Sequence, residues 1–154
     1  MWLMAMLPKA DLAVSFAAQQ EHLIEEINSM GDVLSQYTFL IEESVKLPVM
    51  ADEIKGRSLK VDKCQSQVFL CLDRSAVDVD GLYFQADSDT LIVRGVLYCM
   101  LSLVNGRSRG EIVSCSFDFV NQTELKDAFS DSRLSGFKSI QDTIIRLCQM
   151  VSAK

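Results

Sequence analysis

The segment from about Thr90 to Val104 constrains the fold more than any other part of this chain. Its apolar residues, among them Leu91, Val96 and Met100, fall on nearly every side of a helix. A helix that is apolar all round has to be buried on all sides. We therefore expect one central helix with the rest of the domain packed around it.

Three short segments before that helix are predicted to be strands. The first alternates polar and apolar residues through Leu59 and Val61, and in the second Val68, Leu70 and Leu72 point one way while Phe69 and Cys71 point the other. The connections between them are short, which favours antiparallel neighbours. Further helices are expected on both sides in the sequence, so we predict an α+β fold: a three-stranded antiparallel sheet with helices packed on one face. The predicted strands are Ser58–Asp62, Gln67–Arg74 and Leu82–Ala86.

The helices outside the centre are predicted from apolar residues at three- and four-residue steps. Ala51 to Arg57 is polar and contains a glycine, so we expect a loop there. Asp87-Ser88-Asp89 offers side-chain oxygens that suit the N-cap of the central helix. The predicted helices are Ala10–Met30, Val33–Lys46, a short one that Ser108 and Glu111 start with a capping box, a short one at Thr123–Ala128, and a last one from near Arg133 with Asp131 or Ser132 as its cap.

Size and charge limit the classes of function. The 154 residues suit one domain, and 49 % hydrophobic with 23 % charged residues is ordinary globular usage. The net charge of −6 argues against nucleic acid as a partner, since that needs a basic surface. The apolar start, Met1 to Leu7, is too short to span a bilayer. We expect a cytoplasmic protein without a membrane span.

The five cysteines show no paired spacing and no metal-binding pattern. Cys64 and Cys71 would be about 20 Å apart along an extended chain, no Cys-x-x-Cys occurs, and His22 is the only histidine. We therefore expect no metal site and a reducing compartment. Cys71, Cys99 and Cys148 lie among apolar neighbours and are interpreted as core residues. Cys115 is at the end of an element, where it could be reachable, but a structural role is favoured.

Cys64 differs from the other cysteines because it lies in a short polar break just before a predicted strand. Lys63, Gln65 and Ser66 surround it with hydrogen-bond donors and one positive charge, a setting that favours a thiolate. No histidine is near in sequence, so protease-like catalysis is not expected. Thiol–sulfur exchange needs no histidine base; it needs a reachable thiol and a docking partner.

The motifs around this cysteine resemble those of the SufE/CsdE family of sulfur acceptors. Four segments carry the resemblance, and they occur in the family's order and spacing from about Glu21 to the C-terminus. They are Tyr37 through Leu47-Pro48, Cys64-Gln65-Ser66-Gln67-Val68, Asp87-Ser88-Asp89 with Ile92-Val93-Arg94-Gly95, and Ser132-Arg133 with Gly136. The resemblance implies residues 21–154 as a single SufE-like domain and residues 1–20 as an N-terminal extension that could be helical.

The resemblance implies a sulfur-transfer protein of iron–sulfur cluster assembly. Cys64 would take persulfide sulfur from a cysteine desulfurase of the SufS or CsdA type, stimulate that enzyme, and pass the sulfur to a scaffold of the SufBCD type or another acceptor. The pyridoxal phosphate belongs to the desulfurase, and this chain would bind no cofactor of its own. A carrier of this kind has no independent turnover.

The resemblance also implies supporting roles around Cys64. Arg133 would stabilise thiolate or persulfide charge, Asp89 would hold the adjacent loop and helix start, and Gln65 and Ser66 would shape the loop. Lys63 stands where the family usually has glycine, which affects loop mobility and partner choice. We expect Cys64 to be partly buried at rest, because an exposed persulfide would be lost to other thiols.

Two other functions compete with sulfur transfer. A non-catalytic adaptor would activate a desulfurase through its acidic surface without using the thiol. An IscU-like cluster scaffold would need three cysteines gathered with an aspartate or a histidine, and the cysteine spacing argues against it.

Overall fold

The computed structural model describes residues 7–61, 64–73 and 81–151. Over these residues a small sheet is combined with helices that precede it in the sequence and helices that follow it. The strands are β1 (Leu59–Lys60), β2 (Val68–Leu72) and β3 (Phe84–Ser88). The helices are α1 (Phe16–Asn28), α2 (Val33–Ser44), α3 (Asp52–Arg57), α4 (Leu91–Val104), α5 (Arg109–Val113), the 3₁₀ helix Glu124–Asp127, and α6 (Asp131–Gln149).

The sheet has the order β1-β2-β3 with antiparallel neighbours, which confirms the predicted α+β fold. Leu70 of β2 is opposite Leu59 on one side and Ala86 on the other. Leu70 and Val68 are buried in the main core, as the alternation predicts. Phe69 points to the opposite face, where Lys55 of α3 lies 5.6 Å from its ring centroid. The two faces of β2 therefore have different neighbours.

Helix α4 is the central helix that its sequence predicts, and ten of its 14 residues are buried. It crosses α2 at very close range: a Cβ added to Gly95 would lie 2.1 Å from the carbonyl oxygen of Leu40. Glycine is needed here because the two backbones approach too closely for any side chain. Among the described residues, no helix combines the length and apolar character needed to cross a membrane.

The predicted loop at Ala51–Arg57 is wrong, because Asp52–Arg57 forms α3. Its acidic residues Asp52 and Glu53 are in the first turn, and its basic residues Lys55 and Arg57 are in the last. This arrangement complements the helix dipole at both ends, which offsets the low helix propensity of Gly56 in the last turn.

The predicted N-cap of α4 is also wrong. Strand β3 extends to Ser88, so Asp87 is a strand residue, and Thr90 is the N-cap. The Asp87 carboxylate is buried and is already bonded, to the Arg94 guanidinium and to the backbone N–H of Met50. These bonds prevent it from capping the helix.

Helix α6 begins two residues before the predicted start. Its cap is Ser130 rather than Asp131 or Ser132, because the Ser130 hydroxyl accepts a hydrogen bond from the backbone N–H of Arg133 at 3.2 Å. The predicted capping box at α5 forms in part: the Ser108 hydroxyl accepts from the Glu111 N–H, as the box requires, and the Glu111 carboxylate accepts from the Ser108 hydroxyl.

The first helix starts later than predicted, at Phe16, because Ser15 caps it. The residues before it run along the domain in extended and turn conformations. The guanidinium of Arg107, which is 2 % exposed, donates to the carbonyls of Val14 and Asp11 at 3.0 and 3.3 Å. A buried cation thus fixes this N-terminal segment to the end of α4.

Candidate functional site

Cys64 lies in the connection between β1 and β2, facing the side of helix α6. Its thiol donates to the carbonyl oxygen of Gly136, with 3.5 Å between Sγ and the oxygen. The side chain is half-buried and packs against the main core, as the sequence led us to expect. The thiol is therefore held inside the molecule rather than presented on the tip of a loop.

Gly136 makes room for this thiol. A Cβ added to Gly136 would lie 3.3 Å from the Cys64 Sγ and 3.4 Å from its Cα, tighter than most real contacts. Gly136 is buried in the second turn of α6, where any other residue would push against the cysteine. Glycine lowers the stability of a helix, and at position 136 this cost is explained by the space that the glycine leaves for Cys64.

The thiol borders a small cavity of about 10 Å³ between β2, α4 and α6. That volume holds roughly one water molecule. A second protein's cysteine cannot enter a space of this size. The cavity is lined by Cys64, Gln65, Val68, Val93, Arg133, Gly136, Phe137 and Ile140.

Arg133 brings a positive charge to this cavity from the first turn of α6. Its Nη1 donates to the Ser66 hydroxyl at 2.7 Å, and Ser66 is only 9 % exposed. Arg133 therefore lines the same cavity as Cys64, and its guanidinium is bonded to the loop that carries the cysteine. A permanently charged group in this place can stabilise an anionic sulfur.

Asp89 fixes the other end of the same loop. Its Oδ1 accepts from the backbone N–H of Gln67 at 3.1 Å and from the hydroxyl of Thr90 at 3.1 Å. Its own N–H donates to the Gln67 carbonyl at 3.4 Å. These bonds extend the pairing of β2 and β3 by one residue, up to the cysteine loop.

Most of the site residues predicted from the sequence come together in the structure. Cys64, Gln65 and Arg133 line one cavity, Ser66 is bonded to Arg133, and Asp89 is connected through the start of β2. Gln65 is exposed apart from its contact with the cavity. Lys63 lies outside the described residues.

Sequence reasoning gave no role to two residues that shape the site, Gly136 and Thr90. Gly136 did carry a signal, because an isolated glycine within a strongly periodic helix usually has a packing reason. Thr90 carried none, since a threonine at the start of a helix is explained by capping alone.

The remaining described cysteines have buried or half-buried thiols with raised pKa values. Burial raises the pKa of Cys115 to about 11 and that of Cys148 to about 11. Burial also raises the pKa of Cys71 and Cys99 above the ordinary value. These four thiols are poor nucleophiles at neutral pH, because the thiolate is the reactive form.

No metal centre is formed by the parts of the chain that the structure describes. Nowhere among them do three or more histidine, cysteine, aspartate or glutamate side chains converge in a way that could hold a metal ion. A larger cavity of about 520 Å³ lies against Cys71 and Leu72, and Cys64 is not among its lining residues.

Comparison with protein families decides which family this site belongs to. The family model described as SufE, Fe-S metabolism associated domain, matches residues 21–148. The chain belongs to the SufE family. The match begins in α1 and ends in α6, so it includes every strand and the whole cysteine site.

Individual relatives agree with this assignment. A SufE-like protein of Synechocystis, itself uncharacterised, is 32 % identical over 119 residues, which cover 77 % of this chain and 72 % of that protein. The sulfur acceptor protein CsdE of Escherichia coli is 27 % identical over 117 residues, covering 75 % and 78 %. This SufE chain is thus similar to a sulfur acceptor over most of the length of both proteins.

A solved structure supports the fold of this SufE domain. The solution structure of a hypothetical protein from Thermus thermophilus matches with a TM-score of 0.69, covering 84 % of this chain and 93 % of the other. The two sequences are 16 % identical, so this likeness concerns the fold alone.

Proposed function

We propose that this protein accepts sulfur from a pyridoxal-phosphate-dependent cysteine desulfurase on Cys64 and carries it as a persulfide. The observation that carries the proposal is the setting of this thiol: it lies in a loop between two strands, half-buried, in a cavity that it shares with Arg133. Membership of the SufE family and similarity to a sulfur acceptor support the same function. Burial raises the pKa of the other described thiols, so they are less reactive at neutral pH.

The transfer step is a thiol–persulfide exchange without net oxidation. Cys64 loses its proton to solvent, and its thiolate attacks the outer sulfur of the persulfide on the desulfurase. The bond between the two sulfur atoms of the donor breaks as a new one forms to Cys64. The desulfurase cysteine leaves as a thiolate and takes up a proton, so atoms and electrons balance.

The attack requires Cys64 to leave its resting position. The half-buried thiol faces a cavity with room for about one water molecule, which is too small for a donor persulfide to enter. Docking of the desulfurase would stabilise the loop with Cys64 turned outward. Such a protein can also stimulate the desulfurase, because removing the persulfide sulfur frees the enzyme's cysteine for another turnover.

The supporting residues act through charge and loop position. Arg133 stabilises the thiolate and then the persulfide anion. Ser66 and Asp89 hold the loop at rest, and Gln65 is exposed where a partner would dock. Lys63, outside the described residues, adds a positive charge next to Cys64 in the sequence.

The loaded protein would pass its sulfur to an iron–sulfur cluster scaffold of the SufBCD type or to another acceptor. The chain supplies no cofactor to this step. We place the reaction in the cytoplasm, where a reducing environment keeps thiols available. A scaffold function for this chain is not favoured, since the described residues form no cluster of potential ligands.

The test is intact-protein mass spectrometry with peptide mapping. The protein is incubated with a cysteine desulfurase and free cysteine, without reductant, beside the variants Cys64→Ser and Cys115→Ser. We expect one added sulfur on the Cys64 peptide in the wild type and in Cys115→Ser, and none in Cys64→Ser. Cys64→Ser that still accepts sulfur as well as the wild type would disprove the carrier role.

The same incubation separates a carrier from an adaptor. Desulfurase turnover is followed as alanine formation, with and without each variant. A carrier loses its stimulation in Cys64→Ser. Full stimulation by Cys64→Ser, together with no added sulfur on the wild type, would establish an adaptor that only activates the enzyme.

A further inference from the structure

Thr90 occupies the N-cap of α4 but does not cap the helix. Its backbone is extended, with φ −124° and ψ 127°, as an N-cap requires, yet its side chain forms no capping hydrogen bond. Threonine at this position usually accepts from an N–H of the first turn. Here the hydroxyl lies 2.6 Å from the Ser66 hydroxyl and 3.1 Å from Asp89 Oδ1. The hydroxyl is therefore directed to the cysteine loop rather than to the helix.

The direction of each hydrogen bond follows from counting protons. Thr90 has one hydroxyl proton, which it donates to the Asp89 carboxylate, because that acceptor has no proton to give. Thr90 must then accept from Ser66, and Ser66 in turn accepts from the Arg133 guanidinium. The bonds run in one direction from a cation to an anion.

This arrangement connects the two predicted charged site residues, although they belong to different elements. Arg133 is in the first turn of α6, and Asp89 follows β3. In a partly buried setting, hydrogen bonds that run the same way polarise and strengthen one another. Ser66, the loop residue in this chain of bonds, is two positions after Cys64.

We propose that Thr90 is the positioning residue that holds the Cys64 loop closed. Its hydroxyl completes the path from Arg133 through Ser66 to Asp89, and that path keeps Cys64 in its cavity. When the loop opens, Ser66 leaves both partners, so the Arg133 guanidinium is released in the same movement as the thiol. The consequence for sulfur transfer rests on the proposed function, whereas the closed loop itself does not.

Thr90 allows a sharper test than Ser66 because it is not part of the loop that moves. Thr90→Val keeps the shape and removes the hydroxyl, and Thr90→Ser keeps the hydroxyl. Thr143→Val is a matched control. The buried Thr143 hydroxyl donates to the Ser139 carbonyl and accepts from Arg146, and both partners belong to α6. The measurement is the rate at which a bulky maleimide alkylates Cys64 in the free protein.

We expect Thr90→Val to speed alkylation of Cys64 about two- to tenfold, the effect of losing one hydrogen bond from the closed loop. Thr90→Ser should react within about twofold of the wild type, and so should Thr143→Val, even where it lowers the melting temperature. Equal rates for Thr90→Val and the wild type, or an equal increase in Thr90→Ser and Thr90→Val, would overturn the proposal.

Two further measurements keep the proposal testable. If Thr90→Val does not fold, Asp89→Asn weakens the last acceptor in the path, and it should also speed alkylation; an unchanged rate would count against the proposal. Alkylation requires no desulfurase, so it tests the closed loop independently. Failure of the wild type to take up sulfur would disprove the proposed function, and the alkylation result would still test the closed loop.

Discussion

The thiol of Cys64 and the carbonyl of Gly136 are 3.5 Å apart, and a Cβ added to Gly136 would lie only 3.3 Å from that sulfur. The cysteine packs closely against the helix because residue 136 lacks a side chain. This contact determines how the reactive sulfur is stored in the absence of a partner. It also gives a way to displace the thiol without substituting any residue of the loop.

Gly136→Ala is expected to push Cys64 outward and to speed its alkylation severalfold. The added Cβ would lie 3.3 Å from Sγ, so the loop must shift. Alanine favours a helix over glycine by about 1 kcal/mol, which offsets part of the cost of crowding. We therefore expect a small change in stability beside a large change in reactivity, measured by urea unfolding and maleimide labelling.

Gly110→Ala is the matched control for this crowding experiment. Gly110 is also in a helix, α5, but nothing lies within 4 Å of an added Cβ there. It should leave Cys64 labelling unchanged. Similar labelling rates for the two alanine variants would show that Gly136 does not control the position of the thiol.

Arg94→Met is expected to destabilise the protein by about 3–5 kcal/mol, the usual cost of leaving one member of a buried ion pair alone. Its partner Asp87 is 2 % exposed, and the remaining cation, Lys55, is 3.9 Å away. Urea unfolding measures the loss. The double variant Arg94→Met with Asp87→Asn should recover part of it, and a double variant no more stable than Arg94→Met would argue against the ion pair as the cause.

Alkylation of the buried thiols should depend steeply on pH. With a pKa of about 11, Cys115 and Cys148 are thiolate in only about one molecule per thousand near pH 8. Labelling by a small reagent such as iodoacetamide should rise about tenfold per pH unit and level off above about pH 11. Rates that do not change between about pH 8 and 10 would indicate that opening of the fold, rather than ionisation, limits the reaction.

The same raised pKa values predict weaker folding at alkaline pH. The two thiols bind their protons more tightly when folded than at the ordinary pKa of 9.0. Their contribution to stability is complete below about pH 9 and is lost as pH rises through about 11. Urea midpoints measured across this range should fall, and they should fall less in Cys115→Ala.

Gly95→Ala should be among the most damaging single-methyl changes in this protein. The added Cβ would lie 2.1 Å from the Leu40 carbonyl oxygen, which is backbone and cannot move aside. Helices α2 and α4 would have to separate, at a cost of about 1–3 kcal/mol or more. Gly56→Ala, with open space around it, serves as the control in the same unfolding experiment. Equal midpoints for the two variants would contradict the close contact.

The sequence was sufficient to predict the fold class, because the α+β pattern depends on local periodicity. Helix α4 is apolar on nearly every side, and β2 is a short apolar run that follows a polar break, so both were recognisable without knowledge of their neighbours. The boundaries were harder, since tertiary partners decided them. Asp87 was interpreted as a helix cap, but its backbone pairs with Phe69 in the sheet and its carboxylate is bonded to Arg94.

In the candidate site, too, local features could be predicted from the sequence and long-range contacts could not. Cys64 was identified from its polar surroundings and from the family motif, both of which are local. Gly136 and Thr90 act across the fold, and although the glycine in a periodic helix signals a packing reason, no local pattern reveals its contact with Cys64 or the bond of Thr90 with Ser66. Residues that position another group over a long sequence distance become visible only when the backbone is in place.

The buried arginine described earlier has a consequence for choosing the limits of this domain. The family match starts at residue 21, yet the carbonyls that receive the Arg107 guanidinium belong to Val14 and Asp11. A protein trimmed to the family match would remove three acceptors of this guanidinium, because the Gln19 side chain also accepts from it at 2.7 Å. Solubility and folding trials should therefore start no later than Leu7, which is itself buried.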